Sequence, residues 1–319
     1  MILSPELLAS NLLSPVVLAF ALGLIARALR SDLTIPPAIQ SYLSIFLLLA
    51  IGLKGGVALR STSFGDVAIL LGVTIVAGIV TCASAYAIAR LWLKDGPLEA
   101  GAIAAHFGSV SAVTFIAAQQ FGERSGQAPE GVLVALVVAL EIPAILLGLT
   151  LAKRDAGLQW HQVREVLVGK TALLLIGGMV IGAIATKHGT DAVNLMYGQL
   201  FQGTLMLFML DMGMVAAAQL RGIGRGAFRL AVYGVSLPLL HGIIGTALGH
   251  WAGLSPAGAA VFGTMTASAS YIAAPASVRA SLPEANVGRC ITAALGITFP
   301  FNLAIGIPIY FAFAAWLGA

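Results

Sequence analysis

Apolar runs close to 20 residues long recur from one end of this chain to the other, with short polar stretches between them. A bilayer core of roughly 30 Å needs about 20 helical residues to span it, and the pattern predicts ten spans: 12–29, 37–58, 67–93, 97–119, 131–152, 169–187, 199–219, 227–251, 255–276 and 286–317. Two of these runs differ from the rest. HFGSVSAVTFIAA, residues 106–118, and GTMTASASYIAAP, residues 263–275, place glycines and hydroxyls where a plain span would carry Leu and Ile.

Composition agrees with the pattern. Of 319 residues, 59% are hydrophobic and 9% charged, against roughly 25% charged in soluble domains, and the mean hydropathy is +0.97. This is the profile of an all-α integral membrane protein. The first run follows MILSPELLASN, which holds Glu6 and no Lys or Arg; lacking the basic start of a secretory signal, it is expected to stay as the first span. Cys82 and Cys290 fall inside apolar runs and read as buried packing residues.

The net charge of +4 reports topology rather than a nucleic-acid partner. On one side of the predicted spans lie Arg27, Arg30, Arg90, Lys94, Lys153, Arg154, Arg164, Lys170, Arg221, Arg225, Arg229, Arg279 and Arg289; on the other lie Arg60, Arg124 and Lys187. The positive-inside rule assigns the first set to the cytoplasm and both termini to the outside. Trp92, Trp160, Trp251 and Trp316 lie near predicted span ends or in the central loop, as an interfacial belt requires.

The longest polar connection, Lys153 to Lys170, divides the chain into a first half, 1–153, a cytoplasmic linker, 154–168, and a second half, 169–319. The halves echo one another. LAIGLKGGVALR, 49–60, aligns on LDMGMVAAAQLR, 210–221, and an offset of 157 puts Gly101 on Gly258, Ser111 on Ser268, Gly131 on Gly288 and Pro143 on Pro300. Five spans per copy is an odd number, so the copies enter the membrane from opposite faces, an inverted repeat of the kind common in secondary transporters.

Within that repeat, the small and hydroxyl residues of spans 4 and 9 predict broken helices crossing near the membrane midplane. The candidate substrate-binding residues are Gly108, Ser109, Ser111, Thr114, Ser268 and Ser270, with half-helix N-termini offering amides and positive dipole ends to an anion. Close small-residue packing is the competing explanation. Ionisable residues in spans are costly, roughly 2.5–3.5 kcal/mol each at a helix centre; Lys54, Glu141 and Asp211 are therefore expected to avoid lipid. Either carboxylate suits a coupling cation, while a buried ion pair with Lys54 is the structural alternative. Candidate cation ligands are Glu141, Asp211, Thr266, Tyr271, Thr298 and Asn302, the last two flanking Pro300 as Glu141 precedes Pro143, with Na⁺ expected near Glu141 and Ser270. His106 and His241 read as packing residues rather than proton relays. Phosphate-loop, HExxH and GxSxG signatures are missing, so the chain is not expected to be an enzyme, and no cofactor is expected beyond Na⁺ as coupling ion.

SPVVLAFALGLIARAL, IPPAIQSYLSIFLLLAIGLKGGVALR, HFGSVSAVTFIAA, EIPAI, MLDMGMVA, SASYIAAPASVRASLPEAN and LGITFPFN, in this order, resemble the cyanobacterial sodium-dependent bicarbonate symporter family and its broader bacterial relatives. The resemblance implies ten helices in two inverted five-helix repeats, interleaved core and gate subdomains, a homotrimer in the bacterial inner membrane with both termini periplasmic, and bicarbonate between the broken helices with Na⁺ nearby. It also brings in a regulatory partner resembling the PII signalling proteins, an expectation weakened by a central loop shorter than in the cyanobacterial members. Two further readings stand beside bicarbonate symport: an H⁺- or Na⁺-coupled carrier of a small organic anion, and a membrane sensor that binds the anion without moving it.

Overall fold

The structure is a computed structural model that describes residues 9, 12–60, 64–153, 159–220 and 226–318. Glu6, Arg154, Arg221 and Arg225, used above for the signal and topology arguments, lie outside the described residues, as does linker segment 154–158. Every regular element among the described residues is helical. In chain order they are α1 Pro15–Ala28, α2 Pro37–Leu59, α3 Phe64–Ile88, α4 Pro97–Phe107, α5 Ala112–Arg124, α6 Leu133–Lys153, α7 Trp160–Leu167, α8 Lys170–Ile184, α9 Lys187–Asn194, α10 Phe201–Leu220, α11 Ala227–Trp251, α12 Pro256–Thr266, α13 Ala273–Ser281 and α14 Val287–Leu317. Pro15, Pro37, Pro97 and Pro256 open their helices, a position where the missing amide is an orphan anyway and the fixed φ is already helical.

Among the described residues seven helices are long and apolar enough to cross a membrane, or eight if the pair α7 and α8, bent by 51°, is one span. Three differences from the sequence pattern have local causes. The run 12–29 yields only the 14 residues of α1. The run 255–276 is two short helices, α12 and α13, broken at 267–272 as its small residues predict, but α13 continues beyond the predicted end to Ser281. The linker 154–168 contains a helix, α7, which turns Gln162 and Val166 inward and leaves Trp160 exposed.

Two groups of helices pack together. α1 lies along α10 and α2 along α8. These contacts are made by glycines: a Cβ on Gly23 or Gly213 would overlap the facing backbone of the other helix, and the same holds for Gly56 against Met179 and Gly182 against Leu53. In lipid, where apolar side chains gain nothing by leaving the solvent, such backbone approach is what holds helices together. In the second group, α3 and α4 pack on α6, and α11 and α12 pack on each other and on α14.

α6 runs through Pro143 unbroken. At Pro300 the helix is looser: π-helical turns occupy Thr292–Thr298 and Asn302–Gly306 on either side. π-turns inside helices recur at functional positions because they re-aim side chains, and here they aim Thr298 and Asn302.

Candidate functional site

The two unusual stretches meet. α4 ends at Phe107, residues 108–111 are non-helical, and α5 starts with Ser111 as its cap, the hydroxyl accepting from the Thr114 amide at 3.2 Å. α12 ends at Thr266, the chain is open over 267–272, and α13 starts with the Ser270 hydroxyl accepting from the Ala274 amide at 3.1 Å. The breaks are tied by two hydrogen bonds: the Ser111 amide donates to Ser268 Oγ at 2.8 Å, and the Ser270 amide donates to the His106 carbonyl at 2.8 Å. Ser268 Oγ in turn donates to the Met265 carbonyl at 2.8 Å. Breaking a helix strands backbone groups that lipid cannot satisfy, and each broken helix supplies partners for the other.

A small cleft of about 10 Å³ opens where the breaks cross, lined by Ser111, Ala112, Glu141, Ser270, Tyr271 and Thr171, among others. Space of that order admits about one water-sized body. Ala112 and Ala273, both in the lining, are first-turn residues of α5 and α13, whose amides lack intrahelical acceptors and carry the positive dipole ends. Glu141, from α6, is 3% exposed, and the ion pair found among the described residues is Arg289–Asp95, far along the chain from it. Tyr271 is buried, its ring edge-on to Phe299 at 5.6 Å, and the buried Ser109 hydroxyl is unpartnered among the described residues. Gly108 packs on Cys82, and its carbonyl accepts from Thr81 Oγ1 at 3.3 Å.

The remaining candidates stand elsewhere. Thr298 Oγ1 donates to the Gly234 carbonyl at 2.7 Å, and Thr266 Oγ1 is within reach of the Gly263 and His241 carbonyls at 2.8 and 2.9 Å. Asn302 Nδ2 donates to the carbonyl of Ala267, the first residue of the second break, at 2.8 Å, and its Oδ1 faces the Tyr310 hydroxyl at 3.2 Å. These side chains brace the break from behind. Asp211 is apart from both sets: Gln40 Nε2 donates to its Oδ1 at 2.8 Å, between α2 and α10. The ion pair with Lys54, the structural alternative to a cation site, does not form among the described residues. Lys54 Nζ lies over the Phe201 ring, 4.4 Å from its centroid, and its side chain is exposed rather than turned inward, because the Gly52 and Gly56 face of α2 is taken by α8. His106 and His241 are buried, with His106 Nδ1 donating to the Ala102 carbonyl at 2.7 Å and His241 Nε2 meeting Ser84 Oγ at 2.8 Å.

Sequence reasoning missed Thr171 and Tyr310. Thr171 sits one residue into α8 with no local signal, and Tyr310 lies in an ordinary apolar run; only the offset of eight between Asn302 and Tyr310, about two helical turns, could have suggested a shared face. The bracing role makes a prediction. Asn302→Leu leaves the buried Ala267 carbonyl unpaired and should destabilise the protein by about 1–3 kcal/mol, read as a lowered unfolding temperature in detergent; Tyr310→Phe, which removes one hydroxyl, should cost less. Equal unfolding temperatures for Asn302→Leu and wild type would remove that role.

Broken helices tied at their breaks, around a cleft lined with hydroxyls and one carboxylate, lie inside a multi-pass helical membrane protein. The sequence profile of the Na⁺-dependent bicarbonate transporter superfamily matches residues 15–315, and the chain belongs to that family. Membership places it among transporters and not among enzymes. No curated protein matches the chain.

Proposed function

We propose that this protein imports bicarbonate together with Na⁺ by alternating access. The observation that carries the reading is the cleft at the crossed breaks, where two helix N-termini and a carboxylate without a cationic partner line one space. Bicarbonate is held by the first-turn amides of α5 and α13 with Ser111 and Ser270. Na⁺ sits beside it on the Glu141 carboxylate with hydroxyl oxygens, since a hard cation prefers oxygen ligands and an unpaired buried carboxylate is costly. Cation and anion neutralise one another there.

The chain is organised as ten spans in two inverted repeats, with both termini on the periplasmic side of a bacterial inner membrane. Packing supports this. Under the repeat, α1 corresponds to α8 and α2 to α10, so the contacts α1–α10 and α2–α8 exchange with each other. Ser111 and Ser268, equivalent at the offset of 157, bond to each other, and Ser84 and His241, also 157 apart, do the same. Residues bonded to their own equivalents are what a two-fold axis between the copies produces. α1, α2, α8 and α10 form the gate, and the remaining spans form the core. The cleft is too tight for a four-heavy-atom anion and its cation as it stands, and Thr171 closes it from the gate. Core and gate therefore separate to load it.

Uptake of labelled bicarbonate into proteoliposomes tests the proposal: uptake should require an inward Na⁺ gradient and collapse when the gradient is removed. Uptake that acidifies the vesicle interior without Na⁺ would point to H⁺-coupled transport, and binding without counterflow would point to a sensor.

A further inference from the structure

We infer that the recess beside Lys54 on the gate helices seats the headgroup of a phospholipid carrying a primary ammonium. The recess, about 230 Å³, is lined by Lys54 and Val57 of α2 and by Thr190, Asp191, Asn194 and Tyr197 of α9 and the π-turn after it. Lys54 and Asp191 face this space with opposite charges yet form no ion pair. The Phe201 ring beneath Nζ holds the ammonium in place, and a stacked pair, Phe46 and Tyr197 at 5.2 Å, stiffens the wall.

A cation and an anion held apart complement a zwitterion whose own charges are a few bonds apart. Lys54 takes the phosphate. Asp191 and the Asn194 carboxamide oxygen accept from the ammonium, which a quaternary headgroup cannot offer because it has no N–H to donate.

Depth selects a lipid over a soluble zwitterion. Lys54 is five residues short of the end of α2, about 8 Å along the axis, and Arg60 beyond it donates to the Gly182 and Ala185 carbonyls at the C-terminal end of α8, just before Thr186 and Lys187. That level corresponds to the boundary of headgroups and acyl chains. Val57 in the lining is exposed, as are Val193, Met196 and Leu200 on the adjoining turns, an apolar surface that acyl chains cover and a soluble ligand does not.

The test uses the full chain, delipidated in detergent and returned to nanodiscs of phosphatidylethanolamine, phosphatidylcholine or phosphatidylglycerol. Native mass spectrometry should show a retained phosphatidylethanolamine, and that lipid should raise the unfolding temperature above the other two. Lys54→Gln and Asp191→Asn, both surface changes, should each weaken retention about tenfold, the loss of one charge-assisted contact. Equal effects of all three lipids, or unchanged retention in both variants, would overturn the site. So would equal protection by soluble phosphoethanolamine, which would make it a site for a soluble zwitterion. Disulfide formation between copies carrying Val57→Cys would also overturn it, since the recess would then be covered by protein.

Discussion

Glu141→Gln should raise the half-saturating Na⁺ concentration for bicarbonate uptake about 100-fold while leaving the protein folded. Glu141 is buried on α6 and lines the cleft at the crossed breaks, with no basic side chain paired to it among the described residues. Glutamine preserves the shape and one carbonyl oxygen but removes the charge. Losing a charged ligand in a buried site costs about 3 kcal/mol, which is roughly 100-fold in Na⁺ affinity. The measurement is the half-saturating Na⁺ concentration for uptake in proteoliposomes, with unfolding temperature as the folding control. An unchanged Na⁺ requirement would take Glu141 out of the cation site. Asp211→Asn provides the contrast: its carboxylate is bonded to Gln40 between α2 and α10, and the substitution should leave the Na⁺ requirement of the cleft close to that of the wild type.

Ser268→Ala should have the second-largest effect, acting on stability and substrate affinity together. The Ser268 hydroxyl takes the Ser111 amide and gives its proton to the Met265 carbonyl. Alanine leaves the Ser111 amide buried and unpaired, at about 1–3 kcal/mol, and releases the crossing that orients the α5 N-terminus, while the Met265 carbonyl keeps the Ser268 backbone amide at 3.2 Å. Unfolding temperature should fall and the KM for bicarbonate should rise. Ser109→Ala is the matched comparison, because the Ser109 hydroxyl is buried without a partner and its removal breaks no bond in the protein; its unfolding temperature should stay near the wild-type value. If Ser268→Ala and Ser109→Ala behave alike, the cross-tie does not hold the breaks together.

The difference between these two serines shows where sequence reasoning stops. Both stand in stretches too small and too polar for plain spans, and both qualify as substrate contacts on composition alone. Which hydroxyl braces the backbone and which is left free depends on how α4 and α12 are placed, across 157 residues of chain. Thr266, Thr298 and Asn302 make the same point, since their polar atoms are turned onto carbonyls of α11, α12 and the second break. Lys54 shows the converse. Its place in an apolar run argued for a buried partner, but one face of α2 is closed by glycine contacts with α8, and the lysine stands outside over Phe201.

What the sequence determined by itself is what local physics controls: the helical membrane class, most of the helix limits, the two interrupted helices and the two carboxylates, Glu141 and Asp211, too costly to face lipid. These follow from the apolar run length a bilayer demands and from the obligation to satisfy every backbone group within it. Only the tertiary structure decided that the two breaks are tied to each other, that Glu141 and Thr171 come to the cleft from α6 and α8, and that Asp211 does not. Those choices rest on backbone-to-backbone approach at glycines and on contacts between residues distant in the chain, and no periodicity along a single helix encodes which neighbour its face will meet.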